Sequence, residues 1–178
     1  MKYSFQDFSF CNSPFFIKID NNYFSLNELK ININNSLKIN GNIQFSNSTF
    51  ISSNIFAPNI MGPFSYFPFM ECNHAVLSMK SNVSGSLHFN DNFIDFNNGI
   101  AYIEKDWGTS FPKSYIWCQS NEFLAFPANF MLSIAKIPLG NFSFTGIISD
   151  ISFENKEYKF TTYYGAKLKK YDINDNSI

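Results

Sequence analysis

Charge is scarce in this chain. Asp, Glu, Lys and Arg make up 15% of its 178 residues, and 13 basic side chains nearly balance 14 acidic ones. Such a chain projects no field that would hold a nucleic-acid backbone or draw the protein to an anionic surface, so no nucleic-acid partner is expected. No uninterrupted apolar stretch approaches the roughly 20 residues that cross a bilayer as a helix, so an integral membrane protein is not expected, and any membrane contact would be peripheral. The opening residues Met1 to Asp7 lack the continuous apolar core of a secretory signal. Cys11, Cys72 and Cys118 leave one thiol unpaired under any disulfide scheme. A cytoplasmic location is the resulting expectation.

What is abundant is aromatic volume. Phe alone occurs 23 times, which favours strands over helices and predicts an interior filled largely by rings. Alternation with period two is cleanest from Leu37 to Phe45 and recurs at Phe15–Ile19, Leu29–Ile33, Val83–Phe89, Phe93–Phe96, Ile100–Tyr102, Tyr115–Cys118, Phe142–Ile148 and Tyr158–Tyr163, and a further strand is expected over Ala75–Met79. Asp20-Asn21-Asn22, Asn90-Asp91-Asn92 and Glu154-Asn155-Lys156 supply turns short enough for antiparallel hairpins. Ser25 with Glu28 fits a capping box, but Ile31 and Ile33 resume the strand period almost at once. The expectation is one all-β domain over residues 1–178, an antiparallel meander closing into a barrel. Opening strands fall in 1–45, a Pro- and aromatic-rich loop in 46–70, motif-bearing strands in 71–170 and a tail in 171–178. The loop contains Pro58, Pro63 and Pro68 and is expected to pack across a sheet.

The densest chemistry lies between Gly99 and Gln119. If the strand from Ile100 continues, Tyr102, Glu104 and Asp106 share one face, with neighbouring carboxylates roughly 7 Å apart. After the Ser110-Phe111-Pro112 turn, Tyr115, Trp117 and Gln119 share a face of the next strand. Taken by themselves, these patterns favour a solvated hairpin end for the carboxylates and ordinary core packing for the rings over a site, although the bulky apolar neighbours of the carboxylates weigh against the first. Glu71-Cys72-Asn73-His74 is a second cluster, but zinc needs three or four ligands and only Cys118 and His88 could join Cys72 and His74, so no metal is expected. His74 is as consistent with a structural hydrogen bond as with proton transfer.

Three segments carry a family resemblance: Ile60 through Phe64 with Met70 through Met79, Gly99 through Pro112, and Trp117-Cys118-Gln119. Ala135-Lys136-Ile137-Pro138 and Thr161-Thr162-Tyr163 agree more loosely. Together they resemble the tocopherol cyclase family, relatives of the carotenoid hydratases within the lipocalin-like, or calycin, group. Ala75 and Ala101 stand where the family pattern has Gly. Family members usually begin with further strands, including a Gly-Trp-Tyr-type motif absent here, and continue past Ile178, so the barrel is expected to be incomplete. The resemblance implies closure of a prenylated benzoquinol to a chromanol by alkene protonation and phenol attack, without a cofactor. It places Asp106 or Glu104 as proton donor, with Glu71 and His74 in reserve. Tyr102, Trp107 and Trp117 would line the cation's path, Lys105 and Gln119 would orient the ring oxygens, and Phe111 would add to the binding surface.

Three other readings share these residues: a non-catalytic calycin holding an isoprenoid or other apolar ligand, an alkene hydratase in which water traps the cation, and a truncated, inactive product. Nothing in the sequence specifies an oligomeric state.

Overall fold

The structure is a computed structural model that describes residues 2–123, 125–154 and 156–171. It is built from antiparallel strands, and no α-helix forms among the described residues. In chain order the strands are β1 (Phe8–Asn12), β2 (Phe15–Ile19), β3 (Asn22–Ser25), β4 (Glu28–Asn34), β5 (Lys38–Thr49), β6 (Cys72–Phe89), β7 (Asn92–Asp95), β8 (Gly99–Gly108), β9 (Tyr115–Ser120), β10 (Ala128–Leu139), β11 (Phe142–Phe153) and β12 (Lys156–Lys159). β1 to β7 form a meander in sequence order, with β8 returning to pair with β6; β9 to β12 form a second meander of four strands. The two sheets share no ladder among the described residues, so the barrel is not closed.

The chain divides into two compact units. One gathers the residues up to Thr49 with Lys80–Tyr102; the other gathers Phe50–Met79 with the described residues from Ile103 onward. In the first, hairpin turns form where Asn and Asp accept left-handed backbone: Asp20 has φ 54° and Asn90 has φ 52°. The Ser25 hydroxyl does accept from the Glu28 amide at 3.1 Å, but it caps the bend between β3 and β4 rather than a helix. Ile43 and Val83 are buried in this unit, beside a Ser48–Ser81 hydroxyl pair at 2.8 Å.

The deeper core belongs to the second unit. Ile60, Met79 and Met131 are its largest fully buried apolar side chains. Met131 is 0% exposed, and Met131→Ala is expected to destabilise the protein by about 2 to 5 kcal/mol, read as a lowered denaturation midpoint at unchanged slope. Among the described residues the ring-filled interior expected from composition does not form, because the buried apolar residues there are Ile, Val, Ala, Met and Cys. Open sheets leave half-covered faces, and the rings occupy those: Phe16 stacks on Tyr23 with centroids 5.8 Å apart, and Phe126 meets Phe153 edge-on at 5.0 Å.

From Phe50 to Glu71 the chain has one isolated bridge, Asn54 with Ala57, and a 3-10 turn over Gly62–Tyr66. This loop packs on the second sheet, where Phe64 stacks on Phe144 of β11 at 5.7 Å and the Tyr163 hydroxyl donates to the Ile60 carbonyl at 3.1 Å. The strand expected over Tyr158–Tyr163 is cut short. β12 ends at Lys159, and Thr162–Tyr164 turns as a 3-10 helix because the Thr162 hydroxyl, not a backbone ladder, takes the Ile147 amide at 2.8 Å. Asn155, within one expected turn, and residues 172–178 of the expected tail lie outside the described residues.

Candidate functional site

A cavity of about 480 Å³ lies within the second unit. Strand alternation builds it. Cys72 and His74 come from β6, Glu104 and Asp106 from β8, Tyr115 and Trp117 from β9, Ser133, Ala135 and Ile137 from β10, and Phe144, Gly146 and Ile148 from β11. Apart from Ile147 of β11, which also lines the space, each set is spaced by two, so each strand turns mainly one face toward it. The 46–70 loop adds Met61, Phe64 and Met70, and Phe111, Pro112 and Tyr163 complete the wall.

Three ionisable side chains meet in this apolar chamber. His74 Nδ1 and Asp106 Oδ1 are 2.7 Å apart, and His74 Nε2 lies 3.8 Å from Glu104 Oε2. The imidazole thus stands between two carboxylates carried two residues apart on β8. Trp117 Nε1 donates to Glu104 Oε2 at 3.2 Å, which aligns that carboxylate and brings the indole to the same end of the cavity. Beside them the Cys72 thiol is pushed above its ordinary range, first by burial and then by the Asp106 charge. The arrangement pairs His74 with Asp106 through a hydrogen bond, sets the Glu104 carboxylate near the other imidazole nitrogen, and puts all three groups beside space that suits an apolar guest.

Of the residues expected at the site, Glu104, Asp106, His74, Phe111 and Trp117 line the cavity. Glu71 does not. Its carboxylate accepts from the Gly140 amide at 3.0 Å, and its carbonyl accepts from the Thr109 and Ser110 amides at 2.9 and 3.1 Å, which fixes the chain leaving β8. Lys105 and Trp107 alternate away from Glu104 and Asp106 and pair with each other, the ammonium 4.5 Å from the ring centroid. Gln119 is likewise absent from the lining, and Tyr102 belongs to the first unit. Phe144, Ile148 and Tyr163 were not legible as site residues, because the pairing of β10 with β11 and the turn after β12 place them.

Among the described residues, no group of three or more His, Cys, Asp or Glu side chains is arranged to hold a metal ion.

Residues 38–139 match the family model described as "Tocopherol cyclase-like". Among curated proteins, a "Probable tocopherol cyclase, chloroplastic" of Oryza sativa subsp. japonica is 29% identical over 104 residues, and a "Tocopherol cyclase, chloroplastic" of Zea mays is 30% identical over 105. Each match covers 56% of this chain and 22% of the relative, so the similarity spans about a fifth of the curated proteins' length. No solved structure matches this chain.

Proposed function

Because the chain belongs to the tocopherol cyclase-like family, we propose that its cavity binds a prenylated benzoquinol and closes it to a chromanol. The observation that carries this reading is the convergence of His74, Glu104 and Asp106 at one end of an otherwise apolar chamber. A proton passes from the Asp106–His74–Glu104 cluster to the nearest side-chain alkene, forming a new C–H bond and a tertiary cation. The phenol oxygen then bonds to that carbon, and its proton returns to the cluster. Atoms and electrons balance within one molecule, so the step is an isomerisation. The rings of Tyr115, Trp117 and Phe144 in the cavity lining suit a developing positive charge. Met61, Phe64 and Ile147 suit the prenyl tail.

One observation favours a second product. The Asp106 side chain and Trp117 are each 40% exposed, so the acidic end of the chamber stands near water, which could trap the cation as an alcohol. Incubating the purified protein with a reduced prenyl benzoquinol separates these outcomes by chromatography and mass. A chromanol isobaric with the substrate supports cyclisation, a product heavier by one water supports hydration, and unchanged bound quinol supports a binder.

Trp117 is expected to report occupancy. Its fluorescence should shift when the quinol enters, and Trp117→Phe should remove that signal and weaken turnover by leaving Glu104 without its indole donor.

A further inference from the structure

The segment that walls the cavity is tied at its start by a second ionisable cluster. The Ser52 amide donates to Glu157 Oε1 at 2.8 Å and its hydroxyl donates to Glu157 Oε2, while Lys159 Nζ donates to the Ser52 hydroxyl at 2.8 Å and to its carbonyl. Glu157 and Lys159 lie on β12 as an ion pair at 3.5 Å. Beside them on β11 stands Asp150, in register with Lys159 and 1% exposed; its Oδ2 has no hydrogen-bond partner among the described residues. On its other side β10 offers Met131, which carries no charge. The ionisable groups facing Asp150 are therefore Glu157, Lys159 and Tyr163.

We propose that Asp150, Glu157 and Lys159 form a proton-operated latch on Ser52 that positions the cavity wall, closed while Asp150 holds its proton and loosened when the proton is lost. Asp150 is buried beside a second carboxyl that still reaches solvent, so ionising it there costs more than ionising Glu157. Burial, then the hydrogen bond to Glu157 and that group's negative charge, push the Asp150 carboxyl up to about 7 against a smaller opposing pull from Lys159. Burial also pushes Glu157 upward, but the hydrogen bonds from Ser52 and Asp150, with Lys159, outweigh it and leave Glu157 below its ordinary range. One proton thus serves the pair, and Asp150 is the carboxyl that its surroundings favour to carry it.

The sign follows from linkage. When the latch opens, Asp150 meets water and ionises in the usual carboxylate range, near 3.8. Opening therefore becomes easier as pH climbs from about 4 to about 7 and levels off above that, where Asp150 is ionised in both states. The depressed Glu157 acts in the opposite sense, but only near its own ordinary range below pH 5. From there the latch releases a segment whose Met61, Phe64 and Met70 line the cavity. This consequence for ligand binding rests on the cavity being the binding site.

Amide hydrogen exchange at residues 50–56, corrected for the intrinsic rate, tests the latch on the intact chain. In the wild type the opening constant is expected to rise about tenfold or more between pH 5 and pH 7. Asp150→Asn keeps a donor toward Glu157 and should flatten that rise; Glu157→Gln removes the neighbouring charge and should make it shallower. Nile red affinity should fall over the same interval in the wild type and not in Asp150→Asn. The same pH dependence in all three proteins overturns the latch. Nile red failing to bind at any pH counts against the cavity as a ligand site, while exchange at Ser52 still judges the latch separately.

Discussion

Replacing Glu104 with Gln and Asp106 with Asn together is expected to stop chromanol formation, a loss of about 10² to 10⁴-fold in turnover, with quinol binding largely retained. The amides keep the size of the side chains and their place in the cavity lining, so binding through Met61, Phe64 and Phe144 should survive. What they cannot do is move a proton. The single variants should divide the effect unequally. Asp106→Asn loses the carboxylate 2.7 Å from His74, whereas Glu104→Gln leaves that pair intact and disturbs the hydrogen bond from Trp117 and the longer approach to His74. His74→Gln should cost more than Glu104→Gln, because it disconnects the two carboxylates. Wild-type turnover in the double variant would remove the acid cluster from the mechanism.

The largest structural effect is expected at Gly108, where β8 ends two residues after Asp106. Its φ is +154°, and a Cβ built there would lie 2.0 Å from the Glu71 carbonyl oxygen and 3.0 Å from the Cys72 Cα. Both are backbone atoms. They cannot rotate away, and the same Glu71 carbonyl holds the Thr109 and Ser110 amides. Gly108→Ala should therefore destabilise the protein by about 3 kcal/mol or more, combining backbone strain with overlap. It should also separate Asp106 from His74, because β6 and β8 would be forced apart beside the pair. Gly140→Ala is the control: φ is +58° but nothing lies within 4 Å of the added carbon, so only the left-handed backbone cost of about 1 to 2 kcal/mol is expected. Denaturation midpoints of the two variants measure the difference.

These two expectations show which parts of the site the sequence carried. Alternation alone places Glu104 and Asp106 on one face and Tyr115 and Trp117 on another, and the structure sets all four around one cavity. It likewise turns Lys105 and Trp107 away, so the family-based roles for those two had no support from the strand period. The contact between His74 and Asp106 spans 32 residues, and it depends on β8 continuing along β6 beyond the stretch that β7 pairs with, a register over so long a hairpin that no local pattern fixes. β2 appears with the bounds its alternation predicts. β10 was missed because Phe130, Met131 and Leu132 follow one another with both faces covered, which erases period two. β3 has four residues and gives too little pattern to count. The expectation of a ring-filled core failed for a different reason. Composition supplies the volume but not its depth, and in sheets that do not close the rings remain on half-covered faces.

The central claim is that acidic side chains in a greasy chamber hand a proton to carbon, and solvent isotope reads that event directly. Run in D₂O with a reduced prenyl benzoquinol, the wild-type protein should yield a chromanol bearing one deuterium bound to carbon beside the new ether carbon, and the Glu104→Gln, Asp106→Asn protein should yield none. Chromanol formed without carbon-bound deuterium, or labelled equally by both proteins, would contradict it.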